Sequence, residues 1–155
     1  MNHPRRTFLQ YSARLGVAAA AWSAGLIVGT RAWAATWNKA GFESKALADV
    51  MKSLGASGAT ESKEIVITAP DIAENGAVVP IAVTSRLPRT QQISIVAEKN
   101  PFPLAATFDI AGGGEGYVSA RIKMGQTSDV WAVVKADGRY YVAKKEVKIT
   151  VGGCG

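Results

Sequence analysis

From Glu64 onward apolar side chains recur at every second position, and this period leaves little room for helix over most of the chain. An extended strand sends successive side chains to opposite faces, so a period of two marks strands that rest one face on a core. The segment YVSARIKM shows it most cleanly. Val118, Ala120, Ile122 and Met124 face one way, and Ser119, Arg121 and Lys123 face the other. The same spacing runs through Ile65 and Ile67, through Val79, Ile81 and Val83, and through Ile93 and Ile95. It continues through Val130, Ala132 and Val134 and closes with Val147, Ile149 and Val151.

Turn chemistry separates these runs. Asn75-Gly76 in ENGA and Asp137-Gly138 in ADGR are dipeptides that accept the positive φ of a tight hairpin. Pro101 and Pro103 in NPFP, and the glycines of GGGEG at 112–116, mark longer loops. About seven strands of roughly 5–8 residues are expected, each with one apolar and one mixed face. Two antiparallel sheets packed face to face satisfy that pattern, so the expected fold is all-β, an immunoglobulin-like antiparallel β-sandwich. The Cys…Trp…Cys core of antibody domains is absent. The GGGEG loop lacks the Lys-Ser/Thr and the strand-to-helix setting of a phosphate-binding loop.

One helix precedes the strands. In FESKALADVMKSLG, Leu47, Val50, Met51 and Leu54 fall at i, i+3, i+4 and i+7, one apolar face, and Gly55 supplies the stop. The following GASGAT reads as a flexible connector.

The first residues read as an export signal. Arg5 and Arg6 open RRTFLQ, with Phe8 and Leu9 at the spacing of a twin-arginine signal. An apolar, alanine-rich stretch follows at 15–28, and Ala32-Trp33-Ala34 has the small-x-small form that a signal peptidase cuts after. A membrane anchor is the competing reading, but the stretch is short and only mildly apolar for a span. The expected organisation is a signal at 1–34, a sandwich domain with its N-terminal helix at 35–151, and an arm at 152–155. The expected location is the periplasm. Four of the 18 basic residues and none of the 12 acidic ones lie in the signal, so the formal charge of +6 falls to about +2 after cleavage. The remaining Lys and Arg are scattered, and neither a nucleic-acid nor a membrane partner is expected.

Side-chain counts narrow the chemistry further. The only histidine, His3, leaves with the signal, and Cys154 is the only cysteine. A chain without imidazole and with one thiol has no Cys/His zinc site, no CxxCH haem attachment, no Ser–His or Cys–His pair and no internal disulfide. No metal and no cofactor is expected, and self-sufficient catalysis is not. The thiol itself sits in VKITVGGCG, bracketed by Gly152, Gly153 and Gly155. Glycines give the backbone nearly unrestricted φ/ψ and a narrow cross-section. Four residues past a strand ending near Val151 reach roughly 13 Å. This is the geometry of a thiol presented to the active sites of other proteins. The Gly155 α-carboxylate disfavours the thiolate, so the expected thiol is one that partners activate. Two readings stay open on these grounds: a carrier thiol, or an exported binding or assembly module whose cysteine is incidental or forms an intermolecular disulfide.

With both ends read, the chain resembles the SoxY family of the sulfur-oxidising (Sox) pathway. The resemblance rests on RRTFLQ, APDIAENGAVVPIAV (69–83), NPFP (100–103), RIKMGQTSDVWAVV (121–134) and VKITVGGCG. The family tail GGCGG is one glycine longer than the GGCG here. What the resemblance implies is a periplasmic carrier that is not itself an enzyme. Thiosulfate would be joined oxidatively to Cys154 by a c-type cytochrome partner. A hydrolase would release the sulfone group as sulfate, and a sulfane dehydrogenase would oxidise the sulfur left behind. A second small β-sandwich subunit, SoxZ, would complete a SoxYZ heterodimer.

Overall fold

The computed structural model describes residues 37–150. The signal at 1–34 with Arg5 and Arg6, and the arm with Gly152, Gly153, Cys154 and Gly155, lie outside the described residues. Among the described residues no helix is long and apolar enough to cross a membrane.

Two helices stand where one was expected. Helix α1 spans Lys39–Glu43, capped by Asn38, whose Oδ1 accepts from the Gly41 N–H at 3.0 Å. Helix α2 spans Leu47–Leu54 and ends, as its sequence predicts, at Gly55, in the left-handed region at φ 76°. Val50 and Leu54 are buried, with Leu47 and Met51 packed beside them. The GASGAT segment is not the loose connector expected. Ala56 is fully buried, and its N–H donates to the Met51 carbonyl at 2.7 Å.

Among the described residues nine strands follow: β1 Thr60–Glu61, β2 Ile65–Thr68, β3 Ile72–Ala73, β4 Val79–Ser85, β5 Thr90–Ala97, β6 Leu104–Asp109, β7 Tyr117–Ile122, β8 Ser128–Ala136 and β9 Arg139–Ile149. They form two sheets. The larger has the order β1-β9-β8-β5-β6, with β3 also on β9, and the smaller is β2-β4-β7. The seven longer strands pair antiparallel, giving the sandwich predicted from the alternation. The two-residue strands β1 and β3 depart from it by pairing parallel with β9. They cover the outer edge of β9, which would otherwise present unpaired amides to another chain.

The core lies between the sheets. Ile81, Val83, Ile93, Ile95, Val118, Ile122, Met124, Val130, Val134 and Val147 all point into it. A second cluster was not expected: Val96, Leu104, Val133 and Val142 on the outer face of the large sheet pack beneath Val50, Leu54 and Ala56. The larger sheet is therefore buried on both faces where the helices cover it, and its central strands are not apolar on one face alone.

The two turn signals resolve differently. Asp137 and Gly138, at φ 51° and 74°, form the two-residue hairpin between β8 and β9. Asn75-Gly76 makes no hairpin, because it joins β3 in one sheet to β4 in the other. Its turn is built by the Asn75 side chain, which accepts from the Ala77 N–H at 2.9 Å. Gly76 is needed there for close approach, not for positive φ. A Cβ would be driven into the Met124 carbonyl oxygen and would lie 3.1 Å from Ile149 Cγ2.

Candidate functional site

Strand β9 leads toward Cys154, and its last residues are held from both sides. On one side β3 runs parallel to it, with Ile72 opposite Lys148 and Ala73 opposite Ile149. Here the Lys148 N–H donates to the Asp71 carbonyl at 3.0 Å and the Thr150 N–H to the Ala73 carbonyl at 3.2 Å. On the other side the Thr127 hydroxyl accepts from the Ile149 N–H at 3.0 Å. The backbone is thus paired through Thr150. Cys154 is four residues further on, so its Cα lies within roughly 13–14 Å of Thr150.

Three loops gather around this strand end. The turn at 74–78 is tied to the segment after β7 by the Met124 N–H, which donates to the Gly76 carbonyl at 2.7 Å. The NPFP loop joins the same segment through Asn100, whose Nδ2 donates to the Lys123 carbonyl at 2.7 Å while its Oδ1 accepts from the Gly125 N–H at 3.1 Å. Gln126 returns a bond to the Lys99 carbonyl at 3.2 Å, and the Ser128 hydroxyl accepts from the Lys99 N–H at 3.0 Å. Ser128 in turn pairs with Val147, three residues before Thr150. ENGA, NPFP and KMGQT, far apart in sequence, therefore meet at the foot of the arm.

Lys145 fastens β3 to β9 from the side. Its Nζ donates to the Ala69 carbonyl at 2.7 Å and lies 3.0 Å from the Asp71 carboxylate. The Asp71 side chain is 88% exposed, so the ion pair is screened and worth little, whereas the carbonyl bond is partly buried. Lys145→Met is expected to cost about 1 kcal/mol and Asp71→Asn less than about 0.5 kcal/mol. Urea unfolding of the two variants measures this, and equal costs would refute the assignment.

The sequence did not announce the apolar side chains at this end of the molecule. Ile72, Val78 and Phe102 are 58, 51 and 52% exposed in segments otherwise rich in turn residues. The available signal was their position: large aliphatic and aromatic residues outside any alternating run.

The GGGEG loop lies elsewhere. With Leu87, Arg89, Thr90 and Gln91 it lines an open depression of about 540 Å³ beside the β8–β9 hairpin. Gln91 Oε1 accepts from the Gly138 N–H at 3.3 Å, and Arg89 pairs with Asp137. This is the opposite end of β9, eleven residues from the arm root, or roughly 35 Å of strand. Among the described residues no three or more His, Cys, Asp or Glu side chains are grouped to hold a metal ion.

Comparison with known proteins bears on the arm as well as the fold. The family model described as "Sulfur oxidation protein SoxY" matches residues 50–154, a span that includes Cys154. The solved structure of the sulfur carrier protein SoxY from Chlorobium limicola f thiosulfatophilum is 39% identical, with a TM-score of 0.62. That match covers 69% of this chain and 94% of that one. A superoxide reductase (neelaredoxin) from Ignicoccus hospitalis, 18% identical with a TM-score of 0.50 over 56% of this chain and 80% of that one, shares the fold alone. No match was found among curated proteins.

Proposed function

Since the chain belongs to the SoxY family of sulfur oxidation proteins, we propose that it is the sulfur carrier of that pathway and holds its cargo covalently on Cys154. The observation that carries this reading is that the family match runs through Cys154, while the strand leading to it is paired up to Thr150. A thiol tethered within a short reach of a rigid body suits delivery to several enzymes in turn.

The proposed cycle begins with an oxidative conjugation. The Cys154 thiol and thiosulfate form a sulfur–sulfur bond, the thiol releases its proton, and two electrons pass to a c-type cytochrome partner. The product is a cysteine S-thiosulfonate. A hydrolase then adds water across the bond between the outer sulfur and the sulfone group, releasing sulfate and leaving a persulfide. A sulfane dehydrogenase oxidises that persulfide sulfur to a sulfonate, taking three oxygens from water, releasing six protons and passing six electrons through its own redox centres to a c-type cytochrome acceptor, and a second hydrolysis returns the free thiol and another sulfate. The electrons and the acid–base work belong to the partners, in line with a chain that keeps no histidine after signal cleavage. The carrier works in the periplasm, exported by the twin-arginine route as one half of a heterodimer with a SoxZ-like subunit.

Intact-mass spectrometry of the mature protein from its native host, before and after reduction, tests this proposal. Reducible adducts of sulfane or thiosulfonate mass on the peptide containing Cys154 are expected. A thiol left bare after incubation with thiosulfate and periplasmic extract would favour the binding-module reading instead.

The glycines give a second test. Gly153→Val restricts φ/ψ and widens the tether beside the thiol. Loading is expected to slow by about tenfold, through misplacement of the sulfur in the partner's channel, with an unchanged melting temperature. Equal turnover would remove the threading requirement.

A further inference from the structure

We propose that the Thr127 hydroxyl fixes the point at which the arm leaves the folded body, which makes Thr127 a positioning residue for the sulfur on Cys154; this rests on the carrier reading above. The argument starts from the amides of β9. Neighbouring residues of a strand send their N–H groups to opposite sides. Those of Lys148 and Thr150 point to the β3 side, where the Asp71 and Ala73 carbonyls accept them at 3.0 and 3.2 Å. The Ile149 N–H between them therefore points to the β8 side. There the main-chain register has already ended, since its last pair is Ser128 with Val147. What the Ile149 amide meets instead is the Thr127 hydroxyl, at 3.0 Å. One side chain supplies the ladder bond that the backbone of β8 no longer reaches.

Thr127 is held ready for this bond. It is half-buried and closes the segment after β7, whose Lys123 carbonyl and Gly125 N–H are both bonded to the Asn100 side chain. Gln126 before it donates to the Lys99 carbonyl at 3.2 Å, and Ser128 after it accepts from the Lys99 N–H at 3.0 Å. With both neighbours tied to one residue of the β5–β6 connection, little further ordering is needed to aim the hydroxyl. Valine matches threonine in shape but offers the amide no oxygen. Without that oxygen the Ile149 amide loses its partner, and Thr150 hangs on the Ala73 carbonyl alone. Release of these two residues moves the pivot back to Lys148 and lengthens the path to Cys154 from roughly 13–14 Å to roughly 20–22 Å. A sulfur on the longer path is oriented less closely against a partner's reacting groups, and such misplacement slows the step that follows binding. Binding of the partner is left alone, because the body loses only one half-buried oxygen.

The test uses the full mature carrier with its co-purifying subunit. Thr127→Val removes the hydroxyl, Thr127→Ser keeps it, and Thr107→Val is the control. Thr107 stands on β6, three strands from β9, and its hydroxyl is bonded to that of Ser94 at 3.0 Å. The same substitution there breaks a comparable bond far from the arm. Amide hydrogen exchange at Ile149 and the mobility of a nitroxide label on Cys154 report the pivot. Thiosulfate conjugation by periplasmic extract, followed by intact mass across carrier concentrations, separates turnover from half-saturation. In Thr127→Val, exchange at Ile149 is expected to quicken about fivefold, the effect of one lost hydrogen bond, with a more mobile label. Conjugation at saturating carrier is expected to fall about threefold at an unchanged half-saturating concentration. Thr127→Ser should return to wild-type values, and Thr107→Val should melt lower yet load like wild type. Wild-type turnover in Thr127→Val would overturn the positioning role and leave the carrier reading intact. An equal slowing in Thr107→Val would do the same, by tracing the loss to general stability. A change in half-saturation alone would assign Thr127 to the contact with partners and overturn the proposal, as would a failure of Thr127→Ser to restore the rate. If Thr127→Val does not fold, Thr127→Ala decides by the same measurements. No conjugation on the wild-type protein would overturn the carrier reading and the positioning role together.

Discussion

Cys154→Ser is expected to take up no sulfur at all. Loading couples a thiol to thiosulfate through a sulfur–sulfur bond, and a serine hydroxyl has no sulfur to contribute and ionises far less readily than a thiol. The described body, residues 37–150, is assembled without this residue, so stability should be unaffected. The expected pattern is therefore a melting curve identical to wild type and an intact mass that does not change with thiosulfate and periplasmic extract. A reducible adduct on the serine variant would place the attachment elsewhere and end the carrier assignment for Cys154.

Gly76→Ala is expected to produce the largest loss of stability from a single methyl group near the arm. The new Cβ collides with the Met124 carbonyl, which is main chain and cannot swing aside, and presses on Ile149. Relief requires the turn to move, which strains the bond from the Met124 N–H to the Gly76 carbonyl and disturbs Met124 in the core. Overpacking of this kind costs about 2–3 kcal/mol, or roughly a 10 °C fall in melting temperature for a domain of this size. Gly125→Ala is the control. A Cβ at Gly125 meets nothing within 4 Å, so its cost should stay below about 0.5 kcal/mol. A Gly76→Ala protein that melts with wild type would show that the turn is free to shift and that the arm root is less tightly built than its hydrogen bonds imply.

Much of this architecture can be read from local pattern. The alternating residues of β4, β7 and β8 are the ones that meet in the core, because each of those strands rests a face on the opposite sheet. The apolar face of α2 and its stop at Gly55 follow from helical spacing. What escapes local reading depends on a third layer or on a distant partner. Val133 lies between two inward-facing residues and is nonetheless buried, because α2 covers the outer face of β8. Strand β6 is mostly half-buried, and its Ala-Ala-Thr stretch gives no alternation to detect. Asn75-Gly76 marks a turn correctly, but whether a turn closes a hairpin or changes sheets depends on what lies beyond it. The bonds that build the arm root span long separations, 25 residues from Asn100 to Gly125 and 76 from Ala69 to Lys145. The exposure of Ile72, Val78 and Phe102 was not legible, because exposure belongs to the folded surface.

Pairing β9 up to Thr150 also sets a concentration. Whatever conformations residues 151–154 adopt, the sulfur is confined to a small volume about a fixed pivot, and short tethers of this kind present their cargo at millimolar levels or above. If the strand frayed by two residues, the tether would lengthen by about half and the accessible volume would grow roughly threefold, diluting the thiol by that factor. On the carrier reading proposed above, the Thr127 hydroxyl and the Ala73 carbonyl, each holding one amide of the last two paired residues, would govern how often the thiol meets a docked active site. A partner that meets its substrate at such local abundance would not need to grip the proposed carrier tightly, and the carrier would be left free to move on.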